Sequence, residues 1–194
     1  MKVAFDTSAP RAAALGALAV LAAGVASPAV AAGPACPAEG AASAGALHRE
    51  WILVGWERQE GDGPFSFRDK LGKYYDWSSP EVILYDDFDP QHRITRSAAE
   101  YGAIWEPPFS AMRSARHGVV FGPEVIQEGG LAHSTLQFAA RLEGGDGTVT
   151  GIRTLSSLAW RCTGEGWRIV REHNSSVVVP DGELQALMDR ASRG

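Results

Sequence analysis

The chain has 194 residues and carries 18 Lys and Arg against 23 Asp and Glu, a formal charge of −5. A mildly acidic chain without a basic run is a poor partner for nucleic acid or for an anionic membrane surface. Its length corresponds to a leader plus one domain, and such a domain buries about 70% of its unfolded surface without needing a staple.

At the amino end Lys2 and Arg11 form a charged leader, Ala12 to Ala26 is an uncharged run of Ala, Leu, Val and Gly, and Ala29-Val30-Ala31 offers a small-x-small site. Residues 1–31 are therefore predicted to be a secretory signal peptide, cleaved near Ala31 or Ala32. The run is too short and too rich in Ala and Gly for a transmembrane anchor, which needs about 20 strongly apolar residues. Gly33-Pro34-Ala35-Cys36 lacks the Leu expected before a lipid-modified Cys. The product is expected to be exported by a bacterium, periplasmic or secreted, with no membrane attachment after cleavage. Residues 32–45, rich in Ala, Gly, Pro and Ser, read as a flexible lead-in. Cys36 and Cys162 are the only cysteines, and in an oxidising compartment they are expected to form one disulfide, with two separate thiols as the alternative. Two distant Cys and scattered His48, His92, His117 and His133 lack ligand spacing, so no metal and no cofactor is expected.

In chain order, Leu47, Trp51 and Val54 recur at helical spacing, with Gly61 as the stop. Ser66-Phe67-Arg68-Asp69 fits a capping box, opening a short helix with Phe67, Leu71 and Tyr75 on one face. Val82 to Tyr85 reads as a strand. A third helix is predicted from near Thr95, with Ile94, Ala98, Tyr101 and Trp105 as its stripe and Pro107-Pro108 as its end. From Gly118 the period changes to two, and Gly129-Gly130, Gly144 to Gly147 and Gly164-Glu165 separate four strand-like runs, the pattern of consecutive hairpins. With a two-residue turn at Gly164-Glu165, Cys162 faces Trp167, Trp160 faces Ile169, Leu158 faces Arg171 and Ser156 faces His173. A three-residue turn shifts every one of these pairs. Pro180-Asp181 then precedes an amphipathic stretch with Leu184, Leu187 and Met188. Residues 46–180 form the predicted domain and 181–194 a tail with a short helix. Helices followed by a hairpin-built sheet imply an α+β fold.

The segment Gly166-Trp167-Arg168-Ile169-Val170-Arg171-Glu172-His173-Asn174-Ser175 resembles the closing strand of the SnoaL-like, or nuclear transport factor 2-like, superfamily, and Trp160-Arg161 resembles the aromatic-Arg pair on its preceding strand. The order of elements agrees from Leu47 to Val179. The resemblance implies a cone-shaped α+β barrel, a strongly curved antiparallel sheet wrapped on a long first helix, with a pocket at its open end. It further implies homodimers pairing through the outer sheet face, and relatives that include ketosteroid isomerase-like enzymes, cyclases and dehydratases.

Against that frame, Arg171 and His173 are expected to face the pocket, next to Ser156, Leu158 and Ser175, with Glu172 on the opposite face. Arg171 offers a forked donor and His173 a tunable donor or base; the alternative for His173 is to satisfy backbone groups of the first helix. No orienting carboxylate is placed beside the Ser–His pairs, which argues against nucleophilic catalysis. Tyr85 and Asp86 end the first strand near the pocket mouth, where Asp86 could serve as a base; a solvated turn is the bland reading. Tyr101 and Trp105 are expected to line the wall. The function read from this is a pocket for a small, largely apolar molecule with a carbonyl or carboxylate. The alternatives are an isomerase, cyclase or dehydratase using Asp86 or His173, and a structural dimer module with a filled pocket.

Overall fold

A computed structural model describes residues 36–193; the predicted signal peptide and the start of the lead-in lie outside the described residues. Ser43 opens the first helix, its Oγ accepting the Ala46 N–H at 3.3 Å, and α1 spans Ala44–Glu50. After Glu50 the helix widens into a π-helical stretch, Trp51–Gly55, closed by the Trp56 N–H donating to the Trp51 carbonyl at 3.2 Å. The wider turn brings Trp51 and Trp56, five residues apart, to the buried side and sends Val54 out. That phase change is why the strict 3.6-residue stripe through Val54 fails.

Helix α2 (Phe67–Leu71) is capped by Ser66 as its sequence predicts, and it buries Phe67 and Leu71. Strand β1 covers Ile83–Asp86. Helix α3 (Ala98–Ala111) starts at the Ser97 cap, later than the sequence suggests, so Ile94 lies before it and is exposed. Pro107 and Pro108 do not end the helix but lie inside its last turns. They remove two N–H donors, and the turn persists because Phe109 is anchored against Trp56 and Phe65, at ring distances of 4.8 and 5.0 Å. Gly102 lets α3 touch α2, since a Cβ there would sit 2.8 Å from the Phe67 ring.

Strands β2 (Met112–Glu128), β3 (Leu131–Gly144), β4 (Val149–Thr163) and β5 (Gly166–Val179) form successive antiparallel hairpins, and β1 adds parallel to β5, giving the order β1-β5-β4-β3-β2. The sheet is curved and unclosed, and the α+β architecture agrees with the expected cone. Its inner face packs on α1 to α3 around Trp51, Trp56, Phe67, Tyr75, Tyr101, Leu136, Leu158 and Trp160. Helix α4 (Asp181–Ala191) lies on the other face, burying Leu184 and Leu187 against Ala139 and Val179. The lead-in is tied down by the Cys36–Cys162 disulfide and by Trp167 Nε1 donating to the Pro37 carbonyl at 3.0 Å.

The closing hairpin turns at Gly164-Glu165, and Cys162 faces Trp167 and Trp160 faces Ile169, as the two-residue turn predicts. Beyond that pair the register slips by one. Ala159 faces Arg171, so Leu158 faces Glu172 and Ser156 faces Asn174, with Val170 the extra residue of a β-bulge. The neighbour of β5 also changes here: Ile169 bonds to Tyr74 and Asp76, whereas β1 pairs from Arg171 onward. Ile169 and Val170 are both buried, and after them Glu172 and Asn174 point inward.

Candidate functional site

The bulge decides what faces the interior. It turns Glu172 and Asn174 inward, 3% and 2% exposed, and leaves Arg171, His173 and Ser175 exposed on the outer face of the sheet. The expected Arg171/His173 polar end is therefore not in the interior, and the expected outward Glu172 is. Tyr85 shares the outer side, its ring 5.1 Å from His173, in an open groove with Ile83, Ile94 and His133. Ser175 bonds to the Asp87 carboxylate at 3.1 Å.

Inside, Glu172 accepts hydrogen bonds from Tyr75 Oη at 2.6 Å, Tyr101 Oη at 2.7 Å and Asn174 Nδ2 at 2.8 Å. Trp51 Nε1 donates to Tyr75 Oη at 3.0 Å. Asn174 Nδ2 also reaches Asp86 Oδ2 at 3.0 Å, and Asp86 Oδ1 accepts the Phe88 N–H at 2.8 Å. Two carboxylates from separate strands thus share one amide. Burial pushes the Glu172 carboxyl up to about 8, with the Tyr75 and Tyr101 hydroxyls opposing and nearby Asp86 adding to the rise. Burial also pushes Asp86 up to about 6, against its bonds from Phe88 and Asn174. The Tyr75 and Tyr101 hydroxyls are driven well above their ordinary value by burial and by the Glu172 charge. Burial thus raises both carboxyls, Glu172 further than Asp86.

Asp86 and Asn174 help to line a cavity of about 50 Å3 whose walls include Trp51, Trp56, Trp105, Phe109, Phe138 and His117. At roughly 10–15 Å3 per water this holds a few waters or a comparably small ligand. His117, on β2, stands 3.7 Å from the Glu57 carboxylate, and burial lowers its basicity despite that neighbour. Trp105 and Asp86 are the expected site residues that reach the cavity, and Tyr101 backs it through Glu172.

Ser156 and Leu158 lie deeper in the core. Ser156 Oγ meets His48 Nε2 at 3.0 Å, while His48 Nδ1 meets Ser134 Oγ at 2.8 Å and Trp160 Nε1 donates to that same Oγ at 2.7 Å. Burial lowers His48 to about 3, so it is a neutral pin between α1 and the sheet. Among the described residues no group of three or more His, Cys, Asp or Glu is placed to hold a metal.

No sequence-family model matches the chain, and no curated protein matches it. Solved structures do. A conserved protein from Planctomyces limnophilus is 15% identical over 69% of this chain and 92% of its own, at a TM-score of 0.53. A candidate calcium/calmodulin dependent protein kinase II association domain from Xanthomonas campestris is 15% identical over 77% of this chain and 95% of its own, at 0.52. A nuclear transport factor 2-like superfamily protein from Salmonella enterica is 18% identical over 57% of this chain and 78% of its own, at 0.47. The chain has the nuclear transport factor 2-like fold.

Proposed function

We propose that this protein is an exported acid–base enzyme that moves a proton beside the carbonyl of a small, largely apolar molecule, with Asp86 as the base. One observation carries the reading: a cavity-lining carboxylate, Asp86, coupled through Asn174 to a second, buried carboxyl, Glu172, that burial keeps protonated. Groups whose acidities are driven apart supply a base and an acid at the same pH. In the step, Asp86 takes the proton from the carbon next to the carbonyl, the C–H electron pair forms a C=C bond, and the carbonyl pair moves onto oxygen. Return of the proton to the same or a further carbon restores Asp86.

Incorporation of deuterium from solvent into cyclopentanone, followed by proton NMR, tests the reading. The rate is expected to rise with pH near 6 as Asp86 ionises, and to drop at least a hundredfold in Asp86→Asn. An Asp86→Asn protein with undiminished exchange sinks it. Binding without turnover is the second reading, favoured by the aromatic enclosure of so small a cavity.

Export is supported by the charged leader, the Ala-rich run and the Cys36–Cys162 disulfide, a bond typical of oxidising compartments. A homodimer through the outer sheet face is supported by the exposed Phe121, Leu155 and Val177 there, and by the fold's likeness to an association domain.

A further inference from the structure

The chain has six tryptophans. Four have their indole N–H engaged: Trp51 with Tyr75 Oη, Trp77 with the Gly72 carbonyl, Trp160 with Ser134 Oγ and Trp167 with the Pro37 carbonyl. The other two, Trp56 and Trp105, are 5% and 7% exposed, and neither Nε1 has a partner. Both line the aromatic cavity, with their rings edge to face at 6.2 Å. Asn174 Oδ1, on the same lining, is also buried without a partner. A native interior seldom leaves such groups unmatched, and three of those among the described residues belong to side chains that line this one cavity.

Their chemistry restricts what would match them. Indole N–H only donates, so the missing partner of Trp56 and Trp105 is an acceptor. The lining contains no Lys or Arg, His117 is disfavoured as a cation by burial, and Asp86 is part of it. An anionic ligand would therefore be desolvated next to a carboxylate with no countercharge. A neutral carbonyl oxygen meets both requirements.

We propose that the cavity recognises a neutral carbonyl compound, not a carboxylate, with its oxygen held by the indole N–H groups of Trp56 and Trp105. This rests on the proton-transfer reading in that both place the ligand in the same cavity, and it adds the group that would take up charge as the proton leaves.

The test compares three probes of similar size on the full mature protein: [1-13C]cyclopentanone, its hydrocarbon isostere methylenecyclopentane, and cyclobutanecarboxylate. Cyclopentanone is expected to bind about tenfold more tightly than the hydrocarbon, with its 13C carbonyl signal moved downfield, and the carboxylate not to bind. Trp56→Phe and Trp105→Phe keep a ring in place and should each lower that preference several-fold without weakening the hydrocarbon. The wild-type comparison stands even if a variant misfolds. Equal binding of ketone and hydrocarbon, tighter binding of the carboxylate, absence of saturable ketone binding at millimolar concentration, or a preference that survives in the folded double variant each overturns the proposal. Indole-dependent ketone binding without deuterium exchange would sink the catalytic reading and leave this one. Exchange that ignores both indoles would do the reverse.

Discussion

Replacing Glu172 with Gln should remove most of the alkaline pH dependence of stability. In the folded protein burial pushes the Glu172 carboxyl from an ordinary 4.5 to about 8, so the native state holds a proton that the unfolded chain releases. Its contribution is fully present below pH 4.5 and is lost as pH rises through 8. At roughly 1.4 kcal/mol per unit, the rise from pH 6.5 to 8.5 costs the native state about 2 kcal/mol. Other groups add little in that window. Asp86 has largely titrated by pH 6.5, and His48 and His117, both lowered by burial, lose stability mainly as pH falls through their ordinary 6.5, which offsets a fraction of the slope at the start of the window. Urea unfolding followed by tryptophan fluorescence at half-unit pH steps gives the slope directly. Wild type should lose about 2 kcal/mol across the window, and Glu172→Gln should be nearly flat. A variant that keeps the full slope would mean that the buried proton is not on Glu172, and the assignment of acid and base would fall with it.

Gly102→Ala is expected to lower stability by about 1–3 kcal/mol in equilibrium unfolding, because the added methyl meets the Phe67 ring at 2.8 Å. An unchanged midpoint would show that α2 and α3 can separate freely. Cys36→Ser with Cys162→Ser should cost about 4–5 kcal/mol, since the bond closes a loop with a sequence separation of 126. Urea midpoints with and without reductant measure it, and equal midpoints would refute the chain-entropy argument here.

Much of the fold was legible because its signals are local. Ser66 announces a helix start through a hydroxyl within reach of an N–H three residues on. Alternation from Ala132 to Leu142 and the glycine pairs between strands set β3 and its neighbours. Where the reading failed, a distant contact had overruled a local rule. Pro107 and Pro108 argue for a helix end, yet Phe109 is held by Trp56, more than fifty residues earlier in the chain, and the turn persists. The π-helical stretch carries no local mark of its own. It shows only in its result, Trp56 buried and Val54 exposed.

The site was less legible for one reason, a single extra residue in β5. Strict alternation from Trp167 and Ile169 carries inward to Arg171 and His173, and it sends Glu172 away. The bulge at Val170 exchanges those two sets, so the interior receives a carboxyl in place of a guanidinium and an imidazole. One clue was present: Ile169 and Val170 are consecutive apolar residues in a strand that otherwise alternates, and both are buried. Nothing in the sequence, however, marks Glu172 as an interior residue, because a buried carboxyl is tolerated only where partners are already assembled. Its hydrogen-bond partners are Tyr75 after α2, Tyr101 on α3 and Asn174 two residues along β5, and Asp86 on β1 joins them through Asn174. Each is an unremarkable residue in its own segment, and only the fold brings the two tyrosines and Asp86 to this cluster. Deleting Val170 would restore strict alternation and return Arg171 and His173 to the inner face. With no assembled partners for a buried guanidinium, the chain should then fold poorly, by circular dichroism and by yield. A stable, well-folded deletion variant would show that the polar cluster does not fix the register of the closing strand.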